Sequence, residues 1–481
     1  MYRYRKEAPL KLATNISISF LGATRNVTGS SFLLEANGTK LLVDCGLYQE
    51  REFLYRNWSS FPYSPETLDA VLLTHAHLDH CGLLPKLVSE GFSGPIYCTG
   101  ATAEISKIIL LDSARIHEED AEFKQNRHQR EGRSGPYPVV PLYTTDDAAA
   151  VSPLFSRVKY GEEIKLSEGV WVEFRDAGHV LGAAIIKVRV NDNGEERTVV
   201  FSGDIGRRDR PILRDPSVFD SADYVLVEST YGNRQIPAAH NTVGELAEVV
   251  NSTVSAGGNI VIPSFALERA QEVLYCLNEL LLENRIPHLM TFVDSPMATS
   301  ITEVFERFPE YFDEEMLALI RDGNSPFDLP GLKFVRTVNE SKAINNVKGS
   351  VVIIAGSGMC TGGRIKHHLV SNISRPESTI LFVGYQARGT LGRHIVDGAR
   401  KVRILGQHYR VRARIARLNG FSAHAGRDQL LKWLTGLKKS PRHVFVVHGE
   451  EESAYDFADL IRQETGWETS VPAYQDKVIL K

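Results

Sequence analysis

The sequence predicts an α/β (α+β) fold: a sheet-on-sheet αββα sandwich carrying an inserted α/β module. Three observations predict it. From Asn15 to about Ser202 short alternating apolar runs dominate, broken by Gly, Asn and Thr, with helical patterns able to cover outer faces. After about Asp223 the texture changes to strand–helix alternation, as in a mostly parallel sheet. The last portion, Asp428–Leu437 followed by His443–Val447, returns to helix then strand and ends at a His-Gly-Glu turn. The domains expected are therefore residues 1–222, an insertion at 223–424, and 425–481 completing the first unit.

Taken in order, Ile16–Leu21, Ser31–Glu35 and Lys40–Asp44 read as strands, and Ala70–Thr74 is a short apolar strand ending in a His-rich loop. Gly169–Asp176, Ala183–Val190 and Thr198–Ser202 are further strands, and Leu83–Glu90 and Ala103–Lys124 have helical spacing. In the insertion, Ile260–Ile262 precedes the helical run Leu267–Asn284, and Leu289–Val293 precedes Ala298–Phe308. Val351–Ala355 and Thr379–Tyr385 look like buried strands followed by Gly-rich turns and basic segments. The polar, Pro/Gly-bearing segment Phe123–Tyr143 reads as an exposed excursion.

Composition narrows the class. The chain has 481 residues, 43% hydrophobic and 24% charged, which suits two or more domains, or one large domain with an insertion, and a core needing no disulfides. Its five cysteines (Cys45, Cys81, Cys98, Cys276, Cys360) form no C-x-x-C pair, and the odd count fits a reducing compartment. Met1–Lys11 is basic without an apolar run, so no signal peptide is expected, and no stretch reaches bilayer length. The expected location is the cytoplasm, or the nucleus of a eukaryotic source, and Asn26-Val27-Thr28 is then a chance sequon. A net charge of −4 and a pI near 6.5 mean that a nucleic acid would be gripped by a local patch.

The strongest chemical signal is Thr74-His75-Ala76-His77-Leu78-Asp79-His80, directly after an apolar strand. Residues two apart in extended backbone face one side, so His75 and His77 can bind one metal together. As the chain turns into a helix near Gly82, Asp79 and His80 point to a second position. Imidazole and carboxylate without thiolate suit Zn²⁺ in a catalytic site. Two ions need more ligands than one loop supplies. His179, Asp204 and His448 each follow an apolar run beside Gly, where backbone can approach a crowded site. A lone His at a strand end is more often structural; here the loop's demand for ligands turns that balance.

These residues resemble the β-CASP branch of the metallo-β-lactamase superfamily, which includes bacterial and archaeal RNA-processing nucleases, ribonuclease J and the endonuclease subunit of the cleavage and polyadenylation machinery. The resemblance runs from Phe20-Leu21-Gly22-Ala23 to His448-Gly449-Glu450. The branch is carried by Val227-Glu228-Ser229-Thr230-Tyr231-Gly232, Pro263–Glu272, Asp294-Ser295-Pro296-Met297-Ala298, Gly356-Ser357-Gly358-Met359, Gly389–His394 and Phe421-Ser422-Ala423-His424. One departure is visible: Leu267-Glu268-Arg269 replaces a more usual pattern with Gly before Arg, and little consequence is expected of it.

The resemblance implies two Zn²⁺ per chain: His75, His77 and His179 on the first, Asp79, His80 and His448 on the second, and Asp204 bridging, with a shared hydroxide as in-line nucleophile. It implies catalytic parts for Asp44, Asp79, Glu228 and His424. Asp44 would orient a ligand or the bridging water, against the plainer reading of a turn residue. His424 would protonate the leaving alkoxide while Glu228 holds its ring protonated and oriented. The candidate substrate contacts are Ser357, Arg364, Arg393 and His394. The turns at Gly356–Gly358 and Thr361–Arg364 offer N–H groups and a charge to phosphate, although such turns are common. His394 reads equally as a phosphate contact or a structural residue.

Arg400–Arg417 carries seven Lys/Arg and no acid, and Arg410, Arg412 and Arg414 alternate with Val411, Ala413 and Ile415. A strand there would line three guanidinium groups along one face as a track for a polyanion, or serve as a charged edge against aggregation. The run Lys124, Arg127, Arg130, Arg133 reads as solvated loop. RNA is expected over DNA on one family distinction: RNA-processing members usually keep a His where His448 stands, whereas DNA-repair members tend to have an apolar residue there. Endonuclease and 5′-exonuclease action both fit. The expected partner is an RNA substrate, without a membrane, and a homodimer is admitted. The rivals are a DNA-processing nuclease of the same fold, a small ester or thioester hydrolase, which needs no insertion carrying Glu228 and His394, and a non-catalytic RNA-binding scaffold, against which every expected ligand is present.

Overall fold

The computed structural model describes residues 16–132, 139–192, 194–236, 242–384, 386–387 and 389–481. Met1–Lys11, Arg133 and Tyr385, which entered the readings above, lie outside the described residues. Two seven-stranded sheets pack face to face. The first runs in spatial order Lys477–Ile479, Ser17–Gly22, Ser31–Ala36, Thr39–Val43, Ala70–Leu72, Ile96–Thr99, Phe155–Val158. The second runs Thr469–Ser470, His443–Val447, Tyr224–Glu228, Glu195–Phe201, Ala184–Asp192, Val170–Asp176, Glu163–Ser167.

Period-two patterning builds the seam. Val170–Asp176 buries Val170, Val172, Phe174 and Asp176 and leaves the residues between them half-buried. Phe20, Phe32, Leu34, Val43 and Leu72 of the first sheet share one apolar interior with Phe174, Ile186, Phe201 and Phe445 of the second. Each such side chain contributes about 1.5–3 kcal/mol relative to exposure, so the strands that deliver the site are firmly held. Leu84–Ser89, Gly100–Glu131 and Thr145–Val151 cover the first sheet through Leu84, Leu110 and Val151. Arg427–Leu434 and Glu451–Thr465 cover the second through Leu430, Trp433 and Phe457.

The insertion is built on a six-stranded sheet, Leu332–Phe334, Met290–Asp294, Val351–Ala355, Ile260–Pro263, Thr379–Phe382, Arg414–Arg417, parallel throughout. Val351–Ala355 is buried at every position, as a parallel strand covered on both faces must be. Val225, Val227 and Val446 of the sandwich belong to one apolar cluster with Ile260, Ile262 and Val273 of the insertion, so the two units share a core.

Three expectations change. Tyr224–Glu228 pairs with both Glu195–Phe201 and His443–Val447, so the sandwich continues past 222 and the chain leaves it after Glu228. Phe123–Glu131 is the end of the helix Gly100–Glu131, not loop; its Glu, Lys, Gln and Arg residues form helix readily without an apolar stripe, and Gly132 at φ 60° closes it. Arg400–Arg417 is not one strand: Gln407–Arg410 forms a hairpin with Lys401–Ile404, and Arg414–Arg417 is an edge strand of the parallel sheet. Between them the amides of Arg412 and Ala413 both donate to the Ile373 carbonyl, which breaks the alternation of Arg410, Arg412 and Arg414. All five cysteines are buried and unpaired. No helix among the described residues is long and apolar enough to cross a membrane.

Candidate metal centre

Strand direction explains why distant residues converge. Val170–Asp176, Glu195–Phe201, Tyr224–Glu228 and His443–Val447 all run the same way in the second sheet. Thr39–Val43 and Ala70–Leu72 are parallel in the first. Their carboxyl ends meet at one rim, and there stand Asp44, the loop His75–His80, His179, Asp204, Glu228 and His448.

Three overlapping groups of candidate ligands meet there: His75, His77, His179 and Asp204; Asp79, His80 and His448; and Asp204, Glu228 and His448. In the first, His75 Nε2 lies 3.0 Å and His179 Nε2 3.3 Å from His77 Nδ1, with Asp204 Oδ2 at 3.5 Å from both Nε2 atoms. In the second, His448 Nε2 lies 3.1 Å from His80 Nε2 and 3.6 Å from Asp79 Oδ2, and Asp204 Oδ1 is 3.4 Å from His80 Nε2. Nitrogen ligands about 2.0–2.1 Å from a zinc ion leave tetrahedral edges of about 3.3 Å. The observed spacings match such edges. Asp204 Oδ1 is also buried without a hydrogen-bond partner, a state that a cation relieves. The donor set therefore fits imidazole- and carboxylate-bound metal.

Neighbours orient each ring. Asp44, at φ 61°, places Oδ2 2.7 Å from His80 Nδ1, which leaves Nε2 for the cluster. The Thr74 amide and hydroxyl donate to Asp44 Oδ1 at 2.8 and 3.0 Å, and the same hydroxyl lies 3.1 Å from His75 Nδ1. Thr230 Oγ1 stands 3.1 Å from His448 Nδ1. Such outer partners set tautomer and aim. Burial holds His75 and His179 well below the ordinary imidazole range and brings His77 down to about 4, so each offers a lone pair. Burial opposes charge on His80 too, but Asp204 and Asp44 raise it well above the ordinary range.

Glu228 is fully buried; its Oε1 accepts from the Ile205 amide at 2.7 Å, and both oxygens lie 3.3 Å from His424 Nδ1. The His424 side chain is 20% exposed and its Nδ1 is 3.8 Å from Asp204 Oδ2, so it borders the clusters and faces solvent. Burial would lower His424, but Glu228 and then Asp204 outweigh it and raise it to about 9.

The expected substrate contacts are used differently. Arg364 donates to Asp294 Oδ1 and the Arg336 carbonyl, each at 2.6 Å, so its charge already has a carboxylate partner inside the module. Arg393 Nε donates to Asp397 at 2.9 Å, one turn along. Ser357 Oγ accepts from the Thr361 amide at 3.1 Å and holds the Gly-rich turn together. His394 is exposed on the same helix as Arg393. Thr74 and Thr230 were missed as ring-orienting groups; each stands inside a quoted motif, beside a ligand or an acid, and that adjacency was the available signal.

Residues 24–235 match the family described as metallo-beta-lactamase superfamily, 270–395 the Beta-Casp domain, and 408–472 the Zn-dependent metallo-hydrolase RNA specificity domain. The chain is 41% identical to ribonuclease TTHA0252 of Thermus thermophilus, over 95% of this chain and 98% of that one. It is 32% identical to transcription termination factor FttA of Methanocaldococcus jannaschii, over 97% of this chain and 72% of that one. A crystal structure of a protein of unknown function from Enterococcus faecalis V583 has a TM-score of 0.57 at 13% identity, covering 97% of this chain and 100% of that one, a likeness of fold alone.

Proposed function

Since this chain belongs to the β-CASP family of the metallo-β-lactamase superfamily, we propose that it is a zinc-dependent ribonuclease hydrolysing RNA phosphodiester bonds at two zinc ions per chain. The carrying observation is the convergence of His and Asp ligand atoms around Asp204, with His424 held by Glu228 at their edge. His75, His77 and His179 would hold one ion and Asp79, His80 and His448 the other, with Asp204 standing between the two sets. When bound, such ions supply a water acidic enough to attack near neutral pH and offset charge on the scissile phosphate.

The chain's own groups do the rest. Asp44 and Thr74 aim His80 and His75, and Thr230 aims His448. His424, its Nδ1 held by Glu228, gives a proton from Nε2 to the leaving oxygen. The 41% identity to a protein named as a ribonuclease and the match to an RNA specificity domain favour RNA. The catalytic unit comprises the sandwich halves with the insertion between them, working in the cytoplasm; a homodimer is its proposed assembly, read by solution mass. The test is end-labelled RNA carrying 5′-phosphate or 5′-triphosphate, with and without zinc. Chelator-sensitive cleavage is expected, and mononucleotides or internal fragments report the mode. Folded, zinc-loaded protein that leaves RNA intact but hydrolyses a thioester would overturn it.

A further inference from the structure

Where the insertion docks behind the metal clusters, four charged side chains are almost wholly excluded from water: Arg210, in the loop after Asp204, and Glu268, Arg269 and Glu272 around the start of the helix Arg269–Leu282. Buried charge costs several kcal/mol per ion unless it is paired and hydrogen-bonded. Arg210 is both. Its Nε and Nη2 donate to Glu272 Oε1 at 2.9 and 2.6 Å, and its Nη1 donates to the backbone carbonyls of His179, at 2.9 Å, and Ala423, at 3.2 Å. Arg269 Nη1 takes the other Glu272 oxygen at 2.6 Å. His179 is a proposed ligand, and Ala423 directly precedes His424. One planar guanidinium thus ties the ligand loop, the acid-bearing loop and the first turn of a helix from the other module, a fork that Lys cannot reproduce.

Glu268, of which little was expected, joins the same place. At φ 67°, ψ −50°, with the Arg269 amide donating to the Leu267 carbonyl at 2.8 Å, it occupies a strained γ-turn of positive φ, a region open to glycine. Held there, its Oε2 accepts from the Leu181 amide at 3.3 Å, two residues beyond His179, and its Oε1 lies 3.7 Å from Arg210 Nη2. A bulky residue keeps such a conformation only where surrounding contacts over-determine it.

We propose that Arg210 is a positioning residue for the phosphodiester reaction: seated on Glu272 and flanked by Glu268, it makes docking of the insertion fix His179 and His424 relative to each other. This rests on the ribonuclease reading above. The test compares Arg210→Lys, Glu272→Gln and Glu272→Ala, with RNA turnover, thermal melting and zinc competition against a chelator. Arg210→Lys is expected to lower kcat about 10–100-fold with KM nearly unchanged, since small misplacements carry penalties of that size. It is also expected to loosen zinc about tenfold or more. Glu272→Gln keeps an acceptor for Arg210 but turns the atom facing Arg269 into a donor, so its losses should lie between wild type and Glu272→Ala, which should match Arg210→Lys. Unchanged kcat and zinc affinity in folded Arg210→Lys, or equal losses in both Glu272 variants, would overturn the assignment. If wild-type protein leaves RNA intact, the ribonuclease reading fails instead, and the zinc competition still decides whether Arg210 positions the His179 loop.

Discussion

The rim of the sandwich and the basic, glycine-rich side of the insertion both carry dense polar sequence, and they use it in opposite ways. At the rim, side chains from six strand ends point at one another and leave buried atoms unanswered, Asp204 Oδ1 and His179 Nδ1 among them. In the insertion, Arg364 closes on Asp294, which also meets His368 at 2.6 Å and Ser341; Arg393 closes on Asp397, and Arg414 on Ser252. Orphaned buried atoms, each costing about 1–3 kcal/mol, occur on both sides, His368 Nδ1 and Gln271 Oε1 among those in the insertion, so the convergence of ligand atoms is what marks the rim. The richness of charge in a sequence is no measure of that; the partners are.

The comparison breaks first at its stronger end. His77→Ala removes the nitrogen that stands beside both His75 and His179, and cleavage should fall at least about 10³-fold, with metal analysis showing less zinc per chain. Wild-type turnover in that variant would mean that the rim is structural. His424→Ala should slow the chemical step about 10²–10⁴-fold while zinc content stays near normal. Loss of both metals there would move His424 from proton donor to ligand. Thr74→Val, nearly isosteric, withdraws a hydroxyl from Asp44 and His75 and should weaken zinc affinity or turnover about 10–100-fold. An unchanged chelator titration would show that Asp44 needs no such support.

Legibility in the sequence followed the range of the interactions. The loop His75–His80 could be read because its ligands lie within six positions, and His179, Asp204 and His448 because each ends an apolar run beside glycine. The pairing of His424 with Glu228, 196 residues apart, came from family resemblance, since no local pattern joins them. Ile96–Thr99 and Phe155–Val158 went unnoticed because they lack the unbroken aliphatic run that made equally short strands such as Ala70–Leu72 and Ile260–Pro263 legible. The positive φ of Glu268 was not legible because a backbone angle is not a sequence quantity, nor was the Arg364–Asp294 pair, whose members stand 70 residues apart.

The smallest predicted effect sharpens the comparison most. Arg412 is exposed, its backbone amide is pinned to Ile373, and its guanidinium has no hydrogen bond or ion pair among the described residues. An exposed, unpaired cation can release counterions from a polyanion, whereas Arg364 already has its carboxylate. Arg412→Gln should therefore weaken RNA binding only a few-fold, equally across sequences, and flatten the salt dependence of log K by about 0.7. Its melting temperature should not move. Arg364→Gln should leave that slope alone and lower stability by about 1–3 kcal/mol, because buried Asp294 loses a donor. The opposite pair of outcomes, a flatter slope for Arg364→Gln and none for Arg412→Gln, would mean that the Arg364–Asp294 pair opens to meet substrate, and that the glycine-rich side belongs with the rim.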